Sequence, residues 1–460
     1  MRFARVLITI LVVILVLAGG GLLLAWKPAI APIARPDPAR FDAALVKRGA
    51  QLAAAGDCIA CHTTPGGKVF AGGLAVPTPF GTIYSTNITP DEETGIGRWS
   101  EAAFIRALRS GVDREGHQLY PAFPYDHFTL VTDDDDRALY AYLMTRQPVR
   151  AEAKANDLVF PLGFRPLVAG WKLLYFRQGP FQPDPSKDAA WNRGAYLAEG
   201  LAHCGACHTP RNALGAEDRD HPFAGGESEG WVAYAIDGKS PAPLPWDEAA
   251  LAFYLRHGWH LAHGVARGPM AEVTGNLDGV PDSDIAGIAH YIADRMGPPS
   301  PARQARGAGV KAAIVAAGDA GPEQNQAVPA AATEDRGAAL YGASCASCHD
   351  SRRPLPFGGM NFQLSTAVNA PDPQNIVNVM MYGLPPADGE ASAVMPAFGG
   401  TLDDDDMVAV LDYLRRTFST QPAWSGLKKL VADTRSGAHP VTVRPTEGIE
   451  RSPAHIGAED

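Results

Sequence analysis

All six cysteines of this 460-residue chain fall in three pentapeptides: Cys58-Ile59-Ala60-Cys61-His62, Cys204-Gly205-Ala206-Cys207-His208 and Cys345-Ala346-Ser347-Cys348-His349. Chance supplies roughly 0.002 such motifs at this composition. Two thiols followed at once by an imidazole suit the covalent attachment of haem c. Cys58, Cys61, Cys204, Cys207, Cys345 and Cys348 then form thioethers, and His62, His208 and His349 are the proximal iron ligands. The alternatives are a zinc site, a redox dithiol and structural disulfides. Zinc would need a second ligand pair per motif, and a dithiol would not need the histidine three times. Three covalently bound haems c are therefore expected.

A six-coordinate haem takes a second axial ligand, usually methionine, from the loop before a closing helix. Met395, in Met395-Pro396-Ala397-Phe398, lies eight residues before Asp403. Met270, in Gly268-Pro269-Met270, stands about eleven residues before the second closing helix, with His257, His260 and His263 as competitors. Met360, Met380, Met381 and Met407 read as packing residues, and Met296 follows its helix. The first unit differs, because Met144 is the only methionine between Arg48 and Arg150 and lies inside the helix. Its loop runs Leu119-Tyr120-Pro121-Ala122-Phe123-Pro124-Tyr125-Asp126-His127. His127 is the tentative distal ligand there, with His117, Met144 or an open position as alternatives.

The elements that must position these ligands repeat with them. Arg48-Gly49-Ala50, Arg193-Gly194-Ala195 and Arg336-Gly337-Ala338 each precede a motif's first cysteine by a turn or two of expected helix. A glycine inside a helix costs about 1 kcal/mol against alanine, so it marks the close approach of another element. Phe70-Ala71-Gly72-Gly73, Phe223-Ala224-Gly225-Gly226 and Phe357-Gly358-Gly359 follow the motifs. Amphipathic closing helices are predicted over Asp133–Thr145, Pro281–Arg295 and Asp403–Thr417. The runs Asp133–Asp136 and Asp403–Asp406 read as helix caps in favour of the dipole rather than as an acidic docking patch.

Length predicts about three domains. Apolar residues at 46% exclude a polytopic membrane protein and a disordered chain. Fifty acidic against forty basic residues give a net charge of −10, which excludes nucleic acid as the expected partner. Residues 6–26 contain one polar side chain, Thr9, and as a helix would span roughly 30 Å, a bilayer core. Arg2 and Arg5 on the short side send the rest across. Residues 1–30 are thus expected to anchor the chain in the inner (cytoplasmic) membrane with the body in the periplasm. Ala29-Ile30-Ala31 leaves signal cleavage open. The expected divisions are 38–150, 189–299 and 333–420, with a packed connector at 151–188, a flexible linker at 300–332 and an extended tail at 421–460.

A glycine-containing first helix, the haem motif, an irregular loop and a closing aromatic helix resemble the cytochrome c fold. The fold class expected is therefore mainly α, with three tandem cytochrome c-like domains behind one transmembrane helix. The resemblance implies that first and last helices cross at Gly49, Gly194 and Gly337, near Tyr142, Tyr291 and Tyr413. The whole chain is similar to the cytochrome c subunits of membrane-bound bacterial dehydrogenases, on Asn87-Ile88-Thr89-Pro90-Asp91, Thr94–Trp99 and Leu119–Tyr125. Relatives serving quinoprotein alcohol or flavoprotein gluconate dehydrogenases commonly have methionine at the place of Phe123. Phe123 with His127, Trp259-His260 and Gly264–Met270 resemble instead the subunits of molybdenum hydroxylases acting on aldehydes, nicotinate or isoquinoline.

No nucleotide loop, nucleophile elbow or further metal-ligand set is present, so the chain is not expected to be an enzyme on its own. The function implied is electron transfer from a dehydrogenase, with molybdopterin and iron–sulfur subunits, to ubiquinone, a periplasmic cytochrome or a terminal oxidase. A self-standing haem peroxidase or reductase would need an open iron, for which only the first haem is a candidate. A haem sensor would need a signalling domain.

Overall fold

The computed structural model describes residues 2–319, 335–351, 353, 355–386 and 392–443. The described chain divides into two compact units. One holds residues 2–186 with Tyr196–His203, the other Lys187–Ala195 with the residues from Cys204 onward.

The first unit opens with α1 (Arg2–Ala25). Among the fully described residues no helix is long and apolar enough to cross a membrane. The end of α1 is fixed to the body, where Ala25 is buried and its carbonyl accepts a hydrogen bond from Gln118 Nε2 at 2.8 Å. Helix α2 (Ala43–Ala55) is capped by Asp42, whose carboxylate accepts from Ala44 N and Leu45 N. The first haem motif forms the short helix α3 (Cys58–His62). Strands β1 (Ala75–Thr78) and β2 (Gly81–Tyr84) make a hairpin. Ser100 caps α4 (Glu101–Ser110), and Gly111 ends it in the left-handed conformation at φ 60°. Then come α5 (Tyr125–Phe128) and α6 (Asp133–Met144). The connector adds β3 (Asp157–Leu158) to β2 and packs α7 (Leu167–Tyr175) on α1, so it is built onto this unit.

The second unit repeats the motif architecture twice. First come α8 (Ala189–Ala195), α9 (Gly205–His208), the hairpin β4 (Gly226–Ser228) and β5 (Trp231–Ala233), and α10 (Glu248–His257). A hairpin β6 (Trp259–His260) and β7 (Gly264–Val265), α11 (Pro269–Leu277) and α12 (Asp282–Met296) complete this part. The expected linker is helical where described, as α13 (Pro301–Asp319), with Gly307 buried. Alanine-rich composition with Lys, Arg and Gln explains this, since these residues favour helix without needing a large apolar face. The rest of that linker, 320–332, lies outside the described residues.

The last part has α14 (Arg336–Ser344), α15 (Ala346–His349), α16 (Thr366–Asn369), α17 (Gln374–Tyr382) and α18 (Asp404–Phe418). The expected extended tail forms α19 (Leu427–Ser436), with Leu427 and Val431 one turn apart in the same hydrophobic cluster as Val410 and Leu414. The remainder of the tail from residue 444 is outside the described residues.

Both helix-crossing expectations and capping expectations meet the structure, with one change. A Cβ on Gly49 would lie 2.6 Å from Tyr142 Cβ, and one on Gly337 2.9 Å from Tyr413 Cβ. On Gly194 it would strike the Gly287 backbone. The crossings α2–α6, α8–α12 and α14–α18 therefore require glycine. Asp403 caps α18, but α6 is capped by Thr132, whose Oγ1 accepts from Asp135 N at 3.3 Å. The third residue of each closing helix takes another role. Asp135, Asp284 and Asp406 pair with Arg48, Arg193 and Arg336 of the first helices.

Candidate haem sites

Each motif histidine is oriented through Nδ1 by a main-chain carbonyl. His62 reaches Thr86 O at 2.6 Å, His208 reaches Tyr234 O at 2.7 Å, and His349 reaches Met360 O at 2.9 Å. A carbonyl only accepts, so the ring proton sits on Nδ1 and Nε2 presents its lone pair. Burial lowers the pKa of His62, His208 and His349 and keeps each imidazole neutral, the form that binds metal.

The loop behind the histidine repeats between the first two sites. Gly72 N donates to His62 O and Gly225 N to His208 O, both at 2.7 Å. Phe70 N and Phe223 N donate to Thr63 Oγ1 and Thr209 Oγ1, both at 3.1 Å. Both phenylalanines sit at φ 62°, a left-handed conformation uncommon for a bulky residue. Their buried rings meet Tyr142 and Tyr291 edge-on at 6.2 Å, which holds the backbone there. The third site departs from this pattern. Phe357 is exposed, Gly359 N donates to Cys348 O, and a Cβ on Gly359 would lie 2.7 Å from the His349 ring. Phe362 stacks on His349 at 4.1 Å instead.

These residues fit haem c and not the alternatives. None of the six cysteines, all of them described, is in a disulfide. Burial pushes the Cys58 thiol up to about 12, with Asp57 adding to it, and Cys345 up to about 11. A redox dithiol needs the opposite shift, and among the described residues no motif cysteine falls in a group of three or more possible metal ligands, as zinc would require. Haem c, when bound, supplies one-electron exchange between ferrous and ferric iron. The cysteine pairs would tether it, and His62, His208 and His349 would hold the iron.

The distal candidates fall in different settings. Met395 pairs with Leu384 through two main-chain hydrogen bonds of 2.8 and 2.9 Å, on the loop before α18. Met270 is the second residue of α11, after Gly268. Met380, Met381 and Met407 are buried core residues. Met144 is likewise fully buried in α6. His127, on α5, is buried, and its Nδ1 lies 2.6 Å from Glu199 O. His117 is exposed and bonded to Asp113. Of the competitors in the second part, His263 stacks on Trp246 at 3.6 Å and lies 5.0 Å from His260, while His257 packs on Phe253.

The carbonyls of Thr86, Tyr234 and Met360 escape sequence reading, since any residue carries a carbonyl. The Arg–Asp pairs follow a positional rule that shows only once the helix starts are known. In every unit the partner is the third residue of the closing helix.

Residues 46–147 match the family model described as cytochrome c, and residues 332–414 match that of cytochrome c oxidase, cbb3-type, subunit III. The chain is 44% identical over 422 residues to a subunit of the nicotinate dehydrogenase of Pseudomonas putida, covering 90% of this chain but 34% of that protein. It thus spans about a third of that relative. Identity to the gluconate 2-dehydrogenase cytochrome c subunit of Pantoea cypripedii is 38%, over 85% of this chain and 90% of that subunit. The cytochrome c subunit of the quinone alcohol dehydrogenase of Gluconobacter oxydans is 34% identical, over 82% and 79%. With its motif histidines set in repeated loops and its likeness running nearly the full length of such subunits, the chain belongs to the electron-transferring cytochrome c subunits of dehydrogenases.

Proposed function

We propose that the chain binds three covalent haems c in three tandem cytochrome c-like domains and relays electrons from a periplasmic molybdopterin-dependent dehydrogenase. The partner would oxidise an aldehyde or an N-heterocycle and would include an iron–sulfur subunit. The acceptor would be ubiquinone, a cytochrome or a terminal oxidase. The observation that carries the haem count is the common setting of His62, His208 and His349, each with Nδ1 on a carbonyl. Met270 and Met395 are the proposed distal ligands of the second and third haems, and His127 that of the first.

Support for the molybdenum branch is the higher identity to the nicotinate dehydrogenase protein, together with Phe123 at the distal loop. A gluconate- or alcohol-dehydrogenase partner is the second reading, favoured by how fully those subunits are covered. The apolar run of α1, with Arg2 and Arg5 before it, supports an inner-membrane anchor with the body in the periplasm.

The chain's own residues do positioning work. Carbonyls aim the imidazoles, and Phe70–Tyr142 and Phe223–Tyr291 wall the loops against water. On its own the chain would turn over no aldehyde, alcohol or N-heterocycle. Pyridine haemochrome and intact mass of the periplasmic product should show three haem additions, and two or fewer overturn the count. Copurification with a molybdopterin subunit decides between the two partner readings.

A further inference from the structure

The connector carries an apolar face that an ordinary water-exposed helix would not have. Val159, Phe160, Phe164, Leu167, Leu173 and Leu174 are all exposed, Phe160 at 97% and Leu174 at 71%. Past Trp26, the other described residues offer five exposed large apolar side chains, no two within seven positions of each other. Here six fall within sixteen residues.

Helix α7 buries Val168 and Ala169, but its next turn runs against the usual pattern. Lys172 turns inward, donating from Nζ to Ser110 O and Gly111 O at 2.7 Å and to Gln118 Oε1 at 2.8 Å. Leu173 and Leu174, next in sequence, turn outward. Gln118 passes the link on, because its Nε2 donates to Ala25 O at the end of α1. The connector is thus tied to the residue at which α1 leaves the body, and α7 itself packs on α1. Residues 159–177 include no acid and three bases, Arg165, Lys172 and Arg177. Apolar side chains with Trp and Phe, basic residues and no acid are the composition of a segment that lies in a lipid interface.

The geometry points to the connector, residues 159–177, as an interfacial lipid-binding surface that seats the first unit on an anionic bilayer beside α1. This rests on the proposed anchoring role of α1. The apolar side chains enter the headgroup boundary, while exposed Arg177 meets lipid phosphates; Arg165 is held 3.6 Å from Asp113 Oδ2. Such a surface fixes the height and tilt of the unit above the membrane, which a single helix does not.

The full chain in phosphatidylethanolamine–phosphatidylglycerol nanodiscs doped with a diazirine phospholipid provides the test. Photolysis followed by peptide mass spectrometry should place lipid on peptides from both 2–26 and 159–177. The combined Phe160→Ser, Leu173→Asn and Leu174→Asn variant should lose the label on 159–177, keeping that on 2–26 and its full haem content. Label on 2–26 with none on 159–177 overturns the interfacial surface and leaves the anchor. No label on 2–26 overturns the anchor, and this inference with it. In the native complex, connector cross-links running to the catalytic subunit or to a second copy instead of lipid also overturn it.

Discussion

Arg193 meets Asp284 as a two-pronged fork, Nε to Oδ1 at 2.9 Å and Nη2 to Oδ2 at 2.8 Å, across the crossing of α8 and α12. The pair is largely shielded, with side chains 26% and 13% exposed. In the counterpart pair Asp406 is equally shielded at 13%, but Arg336 is 65% exposed, so water reaches that pair from the arginine's side. Removing one partner of a shielded pair strands the other charge, whereas an exposed pair is screened by water. Arg193→Ala should therefore cost about 2 kcal/mol, the scale of a charged hydrogen-bonded contact. For a unit of this size the thermal midpoint falls by roughly 4–8 °C. Arg336→Ala should shift it least. Equal shifts for the two would mean the fork is not what holds the crossing.

The crossing itself gives a second expectation. A methyl at Gly194 has no room against the Gly287 backbone, 1.8 Å from its carbonyl oxygen, while one at Gly287 would stand 3.0 Å from Ala190 O and 3.3 Å from Gly194 N, a smaller encroachment. Gly194→Ala should prevent haem retention at Cys204 and Cys207, and Gly287→Ala should lower the melting midpoint with haem retained. Peptide mass spectrometry of the haem-bearing fragments reads both. Full haem at the second site in Gly194→Ala would refute the close-approach argument.

Asp136 sets a pH dependence. It is fully buried in α6, and burial pushes its carboxyl from 3.8 up to about 7, although Arg109 Nε lies 2.6 Å away and opposes the shift. In the folded chain the carboxyl then keeps its proton to about pH 7, and in the unfolded chain it loses it near 3.8. The folded state binds more protons in that window, so stability contributed by this group is full below about pH 4 and is lost as pH rises through 7. Between pH 4 and 8 the melting midpoint of the wild type should fall relative to that of Asp136→Asn. A variant with the wild-type slope would assign the dependence elsewhere.

His127 is buried on the distal loop with Nδ1 2.6 Å from the Glu199 carbonyl, a setting like that of the motif histidines. Near-infrared magnetic circular dichroism should then report one bis-histidine and two histidine–methionine haems. The first should have the lowest potential, because imidazole stabilises ferric iron more than a thioether does. His127→Ala should convert that haem to high spin. Three histidine–methionine signals in the wild type would remove His127 from the site.

Where the sequence spoke clearly, it did so through residues that have few other uses. Gly49, Gly194 and Gly337 announced the crossings because glycine is costly inside a helix. Asp135 was hidden by its neighbours, as four consecutive acids give no sign of which one meets an arginine 87 residues earlier. Met360 was read as packing alone, yet its carbonyl orients His349. The residues after 300 misled through composition. Few large side chains suggested a tether at α13, and prolines suggested an open tail, though Leu427 and Val431 suffice to bury one face of α19.

The two units are interleaved along the chain: Lys187–Ala195 belongs with the second, yet the next eight residues, Tyr196–His203, return to the first. Tyr196 donates to Asp135, and His203 lies 3.3 Å from Gly56 O. No single peptide bond separates them. A fragment ending at Ser186 forfeits Tyr196 and Glu199, and one ending at His203 carries off the first helix of the second haem site. A cut at this boundary therefore damages one unit or the other, and testing the first haem site apart from the second calls for substitutions in place.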